Sequence, residues 1–142
     1  MRFLLDVNVL VGLAFPTDIW HQKVHRWFRR EPDRLWATCA LTQAGFLRVA
    51  GRALGGTRDG VQKALAGLER DCLSPQHEYW PVDVDLCGLS DSQRSRLMGP
   101  NQITDMQLLM VAHRHRGRLV TLDTGIRELA SGTPYADALL VL

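Results

Sequence analysis

Three aspartates, Asp6, Asp105 and Asp123, stand where an acid is least expected. Asp6 interrupts the apolar run Phe3-Leu4-Leu5-Asp6-Val7-Asn8-Val9-Leu10, Asp123 closes the run Leu119-Val120-Thr121-Leu122, and Asp105 heads the apolar stretch Met106 to Ala112. An ionised carboxylate in such company is costly unless a cation or hydrogen-bond donors compensate it. Taken singly, each has a plain role: a helix cap for Asp6, a partner of the helix dipole for Asp105, a turn residue for Asp123. Brought together, they would repel and resist ionisation, and a hard divalent cation resolves that conflict. Mg²⁺ or Mn²⁺ prefers carboxylate oxygens and water. The chemistry that uses such clusters is phosphodiester cleavage, in which the ion acidifies a water and neutralises the phosphate.

Convergence of the three acids depends on the elements that carry them. Phe3 to Leu5 is too short for a spanning helix and reads as a strand buried on both faces. Leu35 to Cys39, Arg118 to Asp123 and Ala138 to Leu142 read the same way, and Glu78 to Val82 as an edge strand because Pro81 bars it from the interior. Helices are expected at Val9 to Phe15, ended by Pro16, and at Ile19 to Phe28, opened by Asp18, with Trp20, Val24, Trp27 and Phe28 as a core-facing stripe. Further helices are expected at Ala40 to Ala50, from Thr57 through Asp71, at Ile103 to His113 with Thr104 as cap, and at Ile126 to Ala130. Strands alternating with helices indicate an α/β domain spanning residues 1–142, with a central, mostly parallel sheet flanked by helices. In such sheets chemistry collects at the carboxyl ends of the strands, where the next helices begin. That rule places all three aspartates on one rim.

Composition narrows the class. Hydrophobic residues at 46% and charged residues at 23% are ordinary globular values. The net charge is +2, and the cations are arginines apart from Lys23 and Lys63. Arg48, Arg94 and Arg96 are candidate contacts for RNA phosphates, surface solubility being the plainer role. Cys39, Cys72 and Cys87 form no close pair, which argues for a reduced, cytoplasmic protein without a disulfide framework or zinc site. Asp6 and Asn8 lie inside what would be the apolar region of a signal peptide, and no stretch reaches transmembrane length. The pairs His21/His25 and His113/His115 lack the pattern of a metal-binding helix and are expected on solvated faces.

In order and separation, LLDVNVLVGL, WATCALTQAGFLRVA and QITDMQLLMVAHRHRGRLVTLD resemble the PIN-domain nucleases, specifically the toxins of VapBC-type toxin–antitoxin pairs. The resemblance covers nearly the whole chain. It implies a three-layer fold, Mg²⁺- or Mn²⁺-dependent ribonuclease activity on structured RNA such as tRNA or rRNA, frequent homodimers, and neutralisation by a cognate VapB-type antitoxin. It assigns the metal-binding aspartates to Asp6, Asp105 and Asp123, and supporting roles to Asn8, Gln43 and Thr121. Many members carry glutamate where this chain has Gln43, which keeps a carbonyl oxygen and removes a charge. Two other readings stay open. One is a haloacid-dehalogenase-like phosphatase with Asp6 as nucleophile, which wants an acid at Asn8 and a downstream lysine. The other is a PIN-like module inactivated through Gln43 that binds RNA or protein.

Overall fold

The computed structural model describes residues 1–142. Five strands, β1 (Arg2–Leu5), β2 (Leu35–Thr38), β3 (His77–Tyr79), β4 (Arg118–Thr121) and β5 (Leu139–Val141), form one sheet in the order β3-β2-β1-β4-β5. Every pairing is parallel, with Leu4 level with Ala37 and Leu119. Parallel strands need crossovers, and seven helices supply them: α1 (Val7–Ala14), α2 (His21–Arg30), α3 (Ala40–Ala53), α4 (Arg58–Cys72), α5 (Asp91–Arg94), α6 (Gln102–Arg114) and α7 (Ile126–Ala130). Helices on both faces explain why β1 shows no alternation. Phe3, Leu4 and Leu5 are 2%, 0% and 0% exposed. Phe3 and Leu5 pack with Val9, Val24, Phe46 and Leu68 from the helices of the first half, while Leu4 packs with Leu108, Leu109, Ala112 and Leu129 from those of the second.

The strand order reverses between β1 and β4. The chain leaves β1 toward β2 and β3, then returns to β4 on the other side of β1. Crevices of open α/β sheets form at such a switch point, beyond the carboxyl ends of the strands. Asp6 follows the last residue of β1, and its amide donates to the Val120 carbonyl of β4 (3.0 Å).

Several local expectations change. The histidines of α2 are half-buried and bonded to the protein rather than fully solvated. His21 Nδ1 donates to the Gly12 carbonyl (2.8 Å) and His25 Nε2 to the Leu13 carbonyl (3.0 Å), so both serve the carbonyls that the last turn of α1 leaves without helical partners. His115 is also engaged, stacked on Trp80 with ring centroids 4.7 Å apart and planes 7° off parallel. Trp20 stays outside the core stripe, 42% exposed, because Asp18 Oδ1 accepts from the Trp20 amide in a turn and α2 starts one residue later. α6 starts at Gln102 rather than after Thr104, since the turn at Gly99 and Pro100 already supplies its first carbonyls. β3 lies at the sheet edge and ends before Pro81, as proline requires.

α3 reaches the first turn of α1 through Gly45, where an added Cβ would lie 2.5 Å from Val7 Cγ2. Gly45→Ala therefore has to push α3 away from the helix that Asp6 caps. Urea unfolding is expected to show a loss of about 1–3 kcal/mol, the usual cost of overpacking.

Candidate active site

Asp6 takes the capping role that the sequence allowed and also stands within Coulombic reach of Asp105 and Asp123. It is the N-cap of α1, with extended backbone at φ −66° and ψ 160°, and its Oδ1 accepts from the Val7 amide (2.7 Å). Its Oδ2 accepts from the Thr121 hydroxyl (2.6 Å) at the end of β4. That hydroxyl is the junction of the site. Thr121 Oγ1 also accepts from Asn8 Nδ2 (3.2 Å) and from the Asp123 amide (3.1 Å), so its one hydrogen and two lone pairs are all engaged. Asn8, in the opening turn of α1, uses its Oδ1 to accept from the Leu122 amide (3.2 Å). Asp123 Oδ1 accepts from the Gly125 amide (2.8 Å), which holds the exposed carboxylate in the turn after β4.

Asp105 completes the group from α6, whose first turn lies at the same rim. It is half-buried, and burial pushes its carboxyl up to about 6, with the charges of Asp6 and Asp123 adding to the effect. Burial also raises the Asp6 carboxyl, against the hydrogen bonds from Thr121 and Val7, and the charge of Asp123 works in the same direction as burial. The three acids thus sense one another, while no three acidic, histidine or cysteine side chains close around a single point. Mg²⁺ fits a group of this kind, because it is held by one or two carboxylates and keeps several waters. Asp6, Asp105 and Asp123 are the residues that would hold it.

The supporting residues divide. Asn8 and Thr121 join the acids directly, whereas Gln43, in the opening turn of α3, donates from Nε2 to Thr38 Oγ1 (3.0 Å) at the end of β2. The arginines are not gathered around the acids. Arg94 donates to the Leu89 carbonyl (3.0 Å) and the Cys87 carbonyl (3.0 Å), Arg96 lies against Gly132, and Arg48 is exposed beside Arg52 on α3. The sequence reading missed Thr38 and His77, whose Nε2 lies 2.9 Å from Thr38 Oγ1. Only the placing of a threonine at the last position of β2, matching Thr121 in β4, hinted at the first of them. A cavity of about 610 Å³ lies elsewhere, lined by Leu10, Leu13, Phe28, Trp36, Phe46 and Leu68, and none of the three aspartates borders it.

An all-parallel sheet with helices on both faces and acids gathered at its switch point defines an α/β protein with its candidate site on an open rim. The PIN domain pattern matches residues 3–132 of the chain. Ribonuclease VapC44 of Mycobacterium tuberculosis is 39% identical over 126 residues, covering 89% of each protein. Ribonuclease VapC39 of the same organism is 35% identical over 132 residues, covering 92% of this chain and 95% of its own length, and ribonuclease VapC38 is 37% identical over 92% of both. The chain belongs to the PIN-domain family, in the branch that these VapC proteins represent. A phosphatase reading finds no support in the site. Asn8 stands where the second acid is needed, Lys63 is paired with Asp59 on α4, and Lys23 is exposed on α2 over Trp20.

The raised Asp105 carboxyl sets a pH dependence. The unfolded chain gives up this proton near pH 3.8 and the metal-free folded protein near pH 6, so stability falls as pH rises between those values and stays lower above them. Asp105→Asn is therefore expected to stabilise the protein at pH 7 in EDTA by about 1 kcal/mol, allowing for the screening of a half-exposed group, and to have little effect at pH 4. Urea melts of the two proteins at both pH values check this.

Proposed function

We propose that the protein is a divalent-metal-dependent endoribonuclease, the toxin of a toxin–antitoxin pair, with Asp6, Asp105 and Asp123 holding Mg²⁺ and Mn²⁺ able to replace it. The observation that carries the reading is the set of three carboxyls at the β1/β4 switch point, each in Coulombic reach of the others and one pushed up to about 6. The names of the VapC relatives, all ribonucleases, indicate RNA as the polymer. When bound, the ion supplies an acidified water and offsets the charge of the scissile phosphate.

The chain's own residues prepare that chemistry. Thr121 donates to Asp6 Oδ2 and the Val7 amide to Oδ1, and together they fix the carboxylate. Asn8 ties the opening turn of α1 to the chain after β4, so that Asp6 and Asp123 keep their separation when an anion approaches. Asp105, its carboxyl pushed up to about 6, would have to release a proton to hold an ion, which would make metal binding depend on pH. No histidine belongs to the group, and none is needed where water is activated by an ion. An open rim suits a folded polymer such as tRNA or rRNA, whose backbone can lie across it. Of the three candidate arginines, Arg94 is tied to the Leu89 and Cys87 carbonyls, and Arg48 and Arg96 keep donors for phosphates. A small VapB-type antitoxin neutralises the protein, and a homodimer is its working form.

The test is cleavage of total RNA with Mg²⁺, with Mn²⁺ and with EDTA, beside Asp6→Asn and Asp123→Asn. Asparagine keeps the cap and turn acceptors while removing the charge. Metal-dependent cuts leaving 5′ phosphates are expected from the wild type, and a loss of about 100-fold or more from each variant, at or beyond what removal of a group behind the ligands costs. Well-folded protein that binds RNA and cuts none with either metal would make it a binding module.

A further inference from the structure

Positive charge is concentrated on one helix. α2 carries Lys23, Arg26, Arg29 and Arg30 and no acid, and without these four cations the net charge of +2 would become −2. His21/Gln22, His25/Arg26 and Arg29/Arg30 follow one another four residues apart, the spacing of a single helix face. They line an open groove of about 600 Å³ that no apolar side chain enters. At the usual helical rise the stripe is about 13 Å long. All four ion pairs of the protein lie elsewhere, and Arg26, Arg29 and Arg30 are exposed.

The helix that bears this stripe is firmly seated. Val24 is completely buried against Gly12, where an added Cβ would lie 3.0 Å from Val24 Cγ2, and Trp27 meets Phe3 of β1 edge-on with ring centroids 5.3 Å apart. Its apolar side is thus used in the core, and none is left for a membrane surface. His21 and His25 donate to the carbonyls of Gly12 and Leu13 near the end of α1, whereas Asp6 caps its start. The stripe therefore lies on the flank of the domain, about 10 Å along α1 from the acidic rim. At its head stands Trp20, 42% exposed, with Lys23 Nζ 5.3 Å from the ring centroid. An exposed indole beside a row of unpaired cations suits single-stranded nucleic acid, whose bases stack on aromatic faces while its phosphates meet cations. An acidic protein segment would use the cations and leave the ring idle.

We propose that the α2 stripe of Arg26, Arg29 and Arg30, with Trp20 at its head, is a second RNA-binding surface, separate from the acids. It holds the sugar–phosphate backbone of a single-stranded segment, and Trp20 stacks on an unpaired base of that segment. The proposal rests on the nuclease reading for RNA as the polymer, and on charge, exposure and placement for the surface itself. A substrate anchored on this flank would be held by contacts that the acidic rim cannot offer, because carboxylates repel phosphates until a cation intervenes.

The test titrates the full chain in EDTA against fluorescein-labelled oligoadenylate and reads binding by anisotropy over a series of salt concentrations. Arg26→Gln/Arg30→Gln is expected to weaken binding about tenfold and to flatten the slope of log affinity against log salt by about 1.4, two phosphate contacts at about 0.7 each. Arg52→Gln/Arg58→Gln removes the same charge from exposed positions on α3 and α4 and is expected to cost less than about twofold, as screening limits distant charges. Trp20→Ala is expected to weaken binding about tenfold with the slope unchanged. All five substituted side chains are exposed, so the variants fold. Equal losses in the two arginine pairs, or unchanged binding in Arg26→Gln/Arg30→Gln, overturn the proposal. Labelled polyglutamate bound more tightly than the RNA, with no loss of RNA binding in Trp20→Ala, overturns it in favour of an acidic protein segment. A wild type that cuts no RNA defeats the nuclease reading, while binding measured without cleavage still decides the surface.

Discussion

One hydroxyl, that of Thr121, holds the two halves of the acidic rim together. Thr121 Oγ1 gives its hydrogen to Asp6 and takes hydrogens from Asn8 and the Asp123 amide, so it touches β1's exit, α1 and the turn after β4 at once. The buried end of a parallel sheet offers no water to substitute for any of these bonds, and Thr121 itself is completely buried. A carboxylate placed this deep is tolerated because each of its oxygens has a donor. The remaining cost shows as the upward shift of the Asp6 carboxyl. Position, charge and strand pairing are thus fixed by the same few bonds.

The fold supplies the constraint and the acids supply the tension. A switch point between β1 and β4 requires two strand ends to open onto one crevice, and α6 adds its first turn to the same place. Burial there raises the Asp105 carboxyl, and the charges of Asp6 and Asp123 add to it. Folding stability is lost to this crowding of acids, an arrangement common at functional sites. The opposite edge of the sheet shows the contrasting solution. Arg2 donates to Glu78 (3.1 and 2.6 Å), Trp80 Nε1 donates to the same carboxylate (2.8 Å), and Arg2 also donates to the His115 carbonyl (2.9 Å). There the acid is neutralised by protein groups, and the Trp80 and Arg2 bonds hold its carboxyl below the usual range.

The architecture was legible because its signal is strong and local. Apolar runs without alternation mean burial on both faces, and Phe3 to Leu5 and Leu119 to Val120 are buried that way. The convergence of Asp6, Asp105 and Asp123 followed from the same rule, since strand ends and helix starts share an edge. What failed depended on how elements cross. His21 and His25 read as solvated because nothing in their spacing says that the end of α1 lies under α2. Trp20 read as core because a helical phase drawn from Asp18 ignores the turn that its carboxylate makes. The tie between Thr38 and His77 spans 39 residues and exists only once β2 and β3 are paired, so no local pattern announces it.

The bond between Thr121 and Asp6 joins residues 115 apart in the chain, and this separation governs when the site comes into being. β1 is made first, lies at the centre of the sheet, and waits for β4 as its second neighbour until most of the chain exists. Parallel pairings of such long range form late, because the loop must close before the contacts repay it. During synthesis the protein therefore carries Asp6 for most of its length without the residues that orient it. Fragments ending before β4 hold no assembled rim. A chain cut before β4 by stalling or proteolysis keeps Asp6 and Asp105 and lacks the Thr121 hydroxyl and the Asp123 carboxylate that complete the group.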